Sequence, residues 1–310
     1  MRGRGTTLRR WTAAGFTTIL TLFTVFVLLD TFVIAHPYAS VVAPEETVIA
    51  TSESSVSPSP VTPTCRYTPE SEPMMYIDQA RAITVTAYRV DSTDVYVADI
   101  TLADPGYLMT AFASNTYGRN VTAATSSIAE ASGAILAVNG DFYGARRSGY
   151  VVRDAQIYRD QAASSDQEDL AIMGDGTWQI IREGDISAAD LVAQGARDVF
   201  SFGPGLVDGG RTIVEEGAEV DRAQASNPRT AIAYIGSSHY LFVVADGRTS
   251  VSAGLDLTEL GDFLVGCGAQ TAYNLDGGGS STMWFQGQVV NQPTDGRSNS
   301  ERKVSDIVYV

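Results

Sequence analysis

Lysine and histidine are scarce in this 310-residue chain, and their scarcity limits its chemistry. Lys303 is the only lysine, and the two histidines are His36 and His239. Two imidazoles are too few for a multi-histidine zinc site, and a Ser-His-Asp triad in the domain would have to use His239. That residue lies in an apolar, strand-like segment, 238–245, which favours a structural histidine with a satisfied hydrogen bond. Catalysis is therefore expected from carboxylates, arginines, hydroxyls and backbone amides.

Cysteine is equally rare, with Cys65 and Cys267 as the only two residues of this type. Two thiols cannot form the framework of a small disulfide-rich scaffold, and a chain of this length can bury a core without one. One bridge between them is compatible with an oxidising compartment. The preferred interpretation at this stage is that Cys267 is a small, buried, apolar residue.

Basic residues are outnumbered by acidic ones, and the imbalance limits the classes of partner. The whole chain has a formal net charge of −15. With residues 1–35 set aside, 17 basic and 35 acidic residues remain, which gives a formal net charge of −18. A charge of this sign argues against a nucleic acid as partner. It also argues against a domain that lies flat on anionic lipid.

The first 35 residues have the pattern of a membrane-spanning segment. Residues 1–10 form a basic segment with four arginines and no acid, and an apolar run over 11–35 contains one charged residue, Asp30. About 20 apolar residues suffice to cross a bilayer as a helix, and the flanking arginines stay on the cytoplasmic side. The alternative is a signal peptide cleaved near Ala39, although such peptides have apolar cores of about 7–15 residues. Both interpretations export the rest of the chain.

Residues 36–73 are predicted to be a tether. They contain seven prolines among Ser, Thr and Glu residues. A segment of this composition buries too little apolar surface to offset the entropy of ordering it, so an extended spacer is expected. The remaining residues, 74–310, are numerous enough for one domain with a single core.

The strand and turn signals of 74–310 predict an α+β fold. Short helices interrupt the strands without the regular alternation of a doubly wound fold. The predicted strands are 82–90, 94–103, 107–113, 134–138, 150–153, 156–159, 169–173, 177–181, 229–235, 239–245, 271–275, 282–286 and 305–310. The predicted helices are 121–132, one that begins at Ser187, and 257–266 with Asp256 as its cap. The expected architecture is a single domain with a large mixed β-sheet and a few short helices.

The most informative segment is 274–283, with the sequence Asn-Leu-Asp-Gly-Gly-Gly-Ser-Ser-Thr-Met. It follows a predicted strand, which places Asp276 at the strand end. Consecutive glycines lack Cβ atoms and adopt positive φ readily, so a ligand can contact the main chain. Successive amides can form a concave anion site, and Ser280 and Ser281 add hydroxyl groups. A tight turn with a capping Asp is the alternative, although one glycine usually suffices for that.

A second strand end and several arginines complete the candidate site. Asn139 and Asp141 follow an apolar strand, so Asp141 and Asp276 are candidates for one rim, unless each only orders its own loop. Arg146 lies just beyond, Pro228 fixes the direction of the residue after it, and another arginine precedes the last strand. Guanidinium groups bind phosphate with paired hydrogen bonds. Solvated side chains or ordinary surface ion pairs are the alternatives.

Together these segments resemble the phosphodiester glycosidase family. The run 274–283 is the specific part, and the resemblance covers about residues 80–310. The matching stretches, in the family's order, are 137–143, 227–231, 246–248, 274–283 and 301–302. The resemblance implies the family's fold and the hydrolysis of a sugar-1-phosphodiester at the anomeric carbon. A phosphate leaving group is stable as an anion, so this reaction does not need a histidine as a strong acid.

The resemblance also implies roles for individual residues. The candidate acid, base or electrostatic groups are Asp276 and Asp141, and the candidate phosphate ligands are Arg146, Arg229 and Arg302. The close backbone contacts would come from Gly277, Gly278 and Gly279. The further substrate ligands would be Asn139, Ser280 and Ser281. No cofactor is required. A divalent cation is compatible with the carboxylates and carbonyls, although no ligand spacing demands one.

The sequence thus predicts a membrane-anchored, extracytoplasmic hydrolase that acts on phosphorylated glycans of the cell envelope or on exopolysaccharide. Two alternatives remain open at this stage. One is a surface module that binds such glycans without catalysis. The other is a transferase or processing protein of exopolysaccharide assembly, which would use a sugar acceptor in place of water.

Overall fold

The computed structural model of the chain describes residues 4–41, 65–214, 225–296 and 298–310. The central part of the predicted tether, 42–64, lies outside the described residues. The α-helices are α1 (Arg4–Phe32), α2 (Thr125–Ala131), α3 (Ala188–Ala193) and α4 (Leu257–Gly266). The strands are β1 (His36–Ser40), β2 (Met74–Ile77), β3 (Arg81–Val90), β4 (Thr93–Leu102), β5 (Met109–Phe112), β6 (Thr116–Arg119), β7 (Leu136–Asn139), β8 (Val151–Arg153), β9 (Gln156–Arg159), β10 (Glu168–Met173), β11 (Trp178–Arg182), β12 (Ala196–Phe200), β13 (Gly205–Asp208), β14 (Arg211–Thr212), β15 (Arg229–Gly236), β16 (His239–Ala245), β17 (Thr271–Leu275), β18 (Met283–Phe285), β19 (Gln288–Val289) and β20 (Asp306–Tyr309).

The strands form an eight-stranded sheet, two five-stranded sheets and a two-stranded ribbon. The large sheet has the order β14-β13-β17-β15-β16-β4-β3-β2, and the five-stranded sheets have the orders β11-β10-β12-β8-β9 and β19-β18-β7-β20-β5. The predicted α+β class, with many strands and a few short helices, is confirmed. A mixed sheet would contain both parallel and antiparallel pairs of strands. Each pair among the described strands is antiparallel.

The large sheet is the middle layer of the domain, because side chains on both of its faces are buried. Along β4, Ala98 and Ile100 join one apolar cluster, which also contains residues of both five-stranded sheets. Val95 and Val97 point to the opposite face, where they join a second cluster with α4. This alternation follows from the two-residue period of a strand.

Helix α4 covers the second face, and its sequence fixes both of its ends. Asp256 accepts a hydrogen bond from the amide of Glu259, whose side chain accepts one in return from the Asp256 amide. This reciprocal pair is a capping box. Leu260 and Phe263 lie on the buried side of the helix. The predicted bounds, 257–266 with Asp256 as cap, are those of the structure.

Strands β7, β15 and β17 bring their ends together at one point of the fold. Thr230 of β15 pairs with Leu275, the last residue of β17. Asn139, the last residue of β7, joins these strands across two sheets. Its Nδ2 donates to the main-chain oxygen of Asp276 at 2.6 Å, and its Oδ1 accepts from Thr230 Oγ1 at 2.8 Å. The loops that follow β7 and β17 therefore start side by side.

Both described ends of the predicted tether contact the domain, in contrast to the extended spacer that was expected. Strand β1, at the start of the segment, pairs with β6, and Pro69 forms a bridge with Tyr88. Cys65 and Cys267 form a disulfide bond, so the preferred interpretation of Cys267 as an unbridged residue is wrong. The composition of the tether indicates correctly that it has too few apolar residues to form its own core. Its two described ends are ordered instead by backbone pairing with the domain and by the disulfide bond.

Helix α1 is long and apolar enough to cross a membrane. Its segment Gly15–Phe32 has a mean hydropathy of 1.8, and none of that segment is buried against the rest of the protein. A transmembrane anchor and a signal sequence both have this composition and this position near the N-terminus. The exposed apolar side chains of the helix include Phe16, Ile19 and Phe23.

Candidate active site

An open cleft with a volume of about 1230 Å³ lies where β15 begins and β17 ends. We call it the arginine cleft, because Arg146, Arg229, Arg248 and Arg302 all contribute to its wall. Gly277 and Gly278 also line it, together with polar groups such as Asn274 and Glu168. The cleft therefore combines exposed backbone with cationic side chains, as a site for an anion requires.

Each glycine of the run 277–279 lies against a group that a Cβ atom would meet. A Cβ atom on Gly277 would lie 2.9 Å from the carbonyl oxygen of Pro228. On Gly278 it would lie 3.0 Å from Arg248 Nη2, and on Gly279 it would lie 2.5 Å from Asp295 Oδ1 and 2.9 Å from Arg302 Nη2. Gly278 also has a φ of +65°, which side chains disfavour. Three glycines are needed here because a different group packs closely on each of them, whereas a simple turn would need one.

Asp276 is partly buried between Leu275 and Gly277, which both line the cleft. Ser280 Oγ donates a hydrogen bond to Asp276 Oδ2 at 2.6 Å. Burial raises the pKa of Asp276 above 3.8, while the Ser280 hydroxyl and the positive charges of Arg302 and Arg146 oppose that shift. The carboxyl group is therefore more basic than an ordinary Asp, and it lies in the field of two cleft arginines.

Hydrogen bonds to the surrounding protein fix the direction of the cleft arginines. Arg229 is almost fully buried and donates from Nε to the carbonyl of Leu255. Arg302 donates from Nε and Nη2 to Asp295 Oδ1, at 3.0 and 2.8 Å. Arg146 donates to the carbonyl of Ser201 at 3.2 Å. The guanidinium groups are thus held in place before any ligand arrives, which lowers the entropy cost of binding one.

Arg248 belongs to the cleft, although the sequence analysis did not include it among the site residues. Its side chain is exposed, and its Nε and Nη2 donate to Asn227 Oδ1 at 3.2 and 3.0 Å. It has a φ of +61°, which is unusual for a residue other than glycine. The available signal was the stretch 246–248, which belongs to the family resemblance but gave no hint that it meets Gly278.

Asn274 offers a hydrogen-bond acceptor in the wall of the cleft. Its Nδ2 donates to the carbonyl of Gly203 at 2.8 Å. Its Oδ1 is buried and has no hydrogen-bond partner among the described residues. An unpaired buried acceptor is costly, so a ligand hydroxyl that donates to this oxygen would remove the cost.

Asp141 does not line the arginine cleft, and its carboxylate is fully engaged inside the protein. Its Oδ2 contacts Arg153 Nη2 at 3.2 Å, and Asp306 contacts the same nitrogen at 2.7 Å. Asp141 also accepts hydrogen bonds from the backbone amides of Tyr143 and Ser201. The expectation that Asp141 and Asp276 share one rim is therefore wrong: Asp141 is 2% exposed and acts as a buried ion-pair partner.

Three polar residues around the glycine run, Asn139, Ser280 and Ser281, lie on the buried side of the loop. Asn139 is fully buried, and its side chain links three chain segments as described above. Ser280 is buried and donates to Asp276, while Ser281 is buried with its hydroxyl unpaired among the described residues. None of the three lines the cleft. Their role as substrate ligands stays a prediction, and the contacts of Asn139 and Ser280 position Asp276 and the loop.

His239 lies at the start of β16 and pairs with Asp99, with Nε2 and Oδ1 2.8 Å apart. It does not line the arginine cleft. The interpretation of this residue as a structural histidine agrees with these contacts. Within the described ranges, no group of three or more His, Cys, Asp or Glu side chains is arranged to hold a metal ion.

The arginine cleft is a candidate anion site on an α+β domain of antiparallel sheets, and comparisons with known proteins show which family has this domain. The family model described as phosphodiester glycosidase matches residues 132–310. The chain therefore belongs to the phosphodiester glycosidase family.

Individual relatives are distant and cover part of the chain. The prophage-derived uncharacterized protein YomE of Bacillus subtilis is 27% identical over 190 residues, which are 59% of this chain and 29% of that protein. The human N-acetylglucosamine-1-phosphodiester alpha-N-acetylglucosaminidase is 35% identical over 86 residues, 26% of this chain and 16% of the enzyme. The chain thus spans less than a third of the length of either relative.

Solved structures share the fold. The catalytic domain of the zebrafish N-acetylglucosamine-1-phosphodiester alpha-N-acetylglucosaminidase, auto-inhibited by its pro-peptide, aligns with a TM-score of 0.60 and 19% identity. The alignment covers 79% of this chain and 86% of that one. A hypothetical protein from Synechocystis aligns with a TM-score of 0.56, 17% identity and coverage of 77% and 63% of the two chains. At these identities the likeness concerns the fold.

Proposed function

We propose that this chain hydrolyses sugar-1-phosphodiesters at the anomeric carbon, outside the cytoplasm. One observation carries the proposal. Gly278 and Gly279 lie against the guanidinium groups of two cleft arginines, Arg248 and Arg302, in the loop that follows the partly buried carboxyl of Asp276. Membership of the phosphodiester glycosidase family supports the reaction class.

The arginine cleft suits the phosphate part of such a substrate. Arg248 and Arg302 bring guanidinium groups next to backbone without Cβ atoms, so a phosphate can approach both. Charge-assisted hydrogen bonds of this kind are among the strongest in proteins. They also favour the departing phosphate monoester, on which negative charge develops as the bond to the sugar breaks.

Asp276 is the proposed base for the attacking water. The water oxygen bonds to the anomeric carbon, the bond from that carbon to the phosphate oxygen breaks, and its electron pair leaves with the phosphate. The water proton passes to the Asp276 carboxylate. A carboxylate whose pKa is raised by burial accepts a proton more readily than an ordinary one, and Ser280 holds it in position.

Two features support work outside the cytoplasm. The disulfide between Cys65 and Cys267 is typical of oxidising compartments, and α1 has the length and hydropathy of a membrane anchor. We therefore propose a membrane-anchored enzyme whose substrates are phosphorylated glycans of the cell envelope or exopolysaccharide. We also propose that the reaction uses groups of the chain itself, so that chelators leave turnover unchanged.

The test compares Asp276→Asn with the unchanged protein on a panel of sugar-1-phosphodiesters. The variant should lose turnover and keep its affinity for a sugar-1-phosphate, because the cleft arginines remain. Failure of the unchanged protein to cleave any member of a broad panel while it still binds them would favour a binding module. Transfer of the sugar to a glycan hydroxyl, detected by mass spectrometry, would favour a transferase.

A further inference from the structure

A second pocket, with a volume of about 370 Å³, adjoins the arginine cleft. Four arginines, Arg119, Arg146, Arg147 and Arg159, line it together with three tyrosines and one glycine. We call it the tetra-arginine pocket. Arg146 belongs to the walls of both this pocket and the arginine cleft, so a ligand that extends from one to the other passes a shared guanidinium group.

The tetra-arginine pocket gathers positive charge without matching acids. None of the eight residues that line it is acidic. Of its four arginines, Arg119 forms a salt bridge among the described residues, with Asp30 Oδ2 at 3.4 Å from its Nη2. In a chain of net charge −15, four guanidinium groups around one cavity repel one another with little local compensation. A bound anion would turn this repulsion into attraction.

Two of the guanidinium groups have hydrogen-bond donors that the protein leaves unused. Arg159 Nη2 and Arg119 Nε are buried and have no hydrogen-bond partner among the described residues. Buried donors without partners are rare and costly, so each calls for an explanation. An oxyanion in the pocket would lie beside both guanidinium groups, and a small movement of either side chain would let its donor reach the anion.

The direction of Arg159 is fixed before any ligand binds. Its Nε donates to the carbonyl of Gly149 at 2.6 Å, and its Nη1 donates to the carbonyls of Arg146 and Tyr143 at 2.8 and 3.1 Å. These three bonds leave Nη2 as the remaining donor. Tyr117 packs its ring on Tyr143 beside the pocket, with ring centroids 5.3 Å apart, and closes one side with apolar surface.

We propose that the tetra-arginine pocket is a second phosphate-binding site, so that the preferred substrate carries two phosphate groups, with one in each site. The site itself rests on the pocket alone, whereas its use by a substrate rests on the proposed function. The second phosphate belongs either to the next phosphodiester of the same glycan or to a lipid headgroup. The lipid source has a geometric argument, because Arg119 and Tyr38 connect the pocket to the end of α1 and to β1.

The first experiment measures the binding of inorganic phosphate to the full chain in an uncharged detergent by phosphorus NMR. Two sites are expected. Arg147→Ala, which changes an exposed residue of the tetra-arginine pocket, should weaken one site on the order of tenfold, and Arg248→Ala should weaken the other. Arg211→Ala removes an exposed arginine outside both sites and is the matched control. A single site that responds only to Arg248→Ala would overturn the proposal.

The second experiment asks where the second phosphate comes from. A soluble sugar-1-phosphodiester with a second phosphate on its aglycone should have a lower KM than the same diester without it, and Arg147→Ala should abolish the difference. If the lipid is the source, Arg147→Ala should instead reduce binding to phosphatidylcholine vesicles that contain phosphatidic acid. The proposal fails if neither response depends on Arg147. Two phosphate sites without any diester cleavage would sink the proposed function and leave this site intact.

Discussion

The buried ion pairs of Arg153 give Asp141 a structural role, in contrast to the catalytic role proposed for Asp276, and they lead to a prediction with a defined size. Arg153 Nη2 contacts both Asp141 and Asp306, and the three side chains are between 0 and 4% exposed. A buried charge is tolerated only while it is paired, and removing its partner costs about 3–5 kcal/mol. Arg153→Met leaves two carboxylates without a partner and should cost that amount.

Asp141→Asn should cost less, because Asp306 can take over the pairing. Burial and the neighbouring charge of Asp141 raise the pKa of Asp306 above its ordinary value. Without that charge, the pKa of Asp306 falls, and Asp306 ionises as the partner of Arg153. The remaining cost comes from the backbone amide of Ser201, which donates to Asp141 Oδ2. In Asp141→Asn this amide either faces the NH2 group of the new side chain or has no acceptor. A buried unsatisfied donor costs about 1–3 kcal/mol, so we expect about 2 kcal/mol.

The assay is thermal unfolding of the full chain in detergent at pH 7, followed by circular dichroism. For a domain of this size 1 kcal/mol corresponds to about 2–4 °C in Tm. Asp141→Asn should therefore lower Tm by about 4–8 °C, and Arg153→Met by about 6–20 °C. Turnover of a sugar-1-phosphodiester, measured well below either Tm, should persist in Asp141→Asn. Asp276→Asn is the control, with a smaller change in Tm and no turnover. The reasoning is refuted if Asp141→Asn retains the original Tm and loses turnover.

Four further perturbations have defined outcomes. Ser280→Ala removes a hydrogen bond that lowers the pKa of Asp276, so the acidic limb of the pH–rate profile should move to higher pH; an unmoved limb would contradict Asp276 as the base. Gly279→Ala should lower kcat/KM at a temperature well below its Tm, because its Cβ would displace Asp295 and the Arg302 guanidinium group bonded to it; a lower Tm with unchanged kcat/KM would argue for a purely structural loop. Burial raises the pKa of Asp169 from 3.8 to about 9, so this group favours the folded state at low pH and opposes it as pH rises between those values. Asp169→Asn should therefore stabilise the protein more at pH 8.5 than at pH 5, by a few kcal/mol in the free energy of unfolding. The same stability difference between the variant and the unchanged protein at both pH values would contradict the raised pKa. Cys65→Ser should lower the free energy of unfolding by about 2–5 kcal/mol, since the bond spans 202 residues; dithiothreitol should have no effect on this variant.

Local patterns predicted most of the secondary structure. The apolar runs 229–235 and 239–245 and the Gly-Ser-Ser segment between them predicted a strand pair that the structure has at 229–236 and 239–245. The cap at Asp256 gave both ends of α4. These features depend on residues close in sequence, so a linear pattern contains them. Strands β12 and β13 were missed, because their short apolar segments lack clear alternation.

The sequence also identified the glycine run as a place of close approach, but not what approaches it. Glycine is needed where other atoms come too close to the backbone for a Cβ atom. The glycine run alone does not say whether those atoms belong to a ligand or to other residues of the chain, such as the arginines. The sequence favoured Asp141 as a partner of Asp276, because both follow apolar strands. Their different surroundings depend on Arg153 and Asp306, which lie far away along the chain.

The sequence by itself determined the α+β class, the family and the position of the chemistry at the end of β17, because periodicity, capping and an unbroken motif are local properties. Tertiary structure decided that Arg248 meets Gly278, that Asp141 is buried in an ion pair, and that Cys65 is bonded to Cys267. It also decided that four arginines from two strands and one loop surround one pocket. Contacts between residues distant in sequence depend on how the sheets pack, and a single sequence does not specify that packing residue by residue.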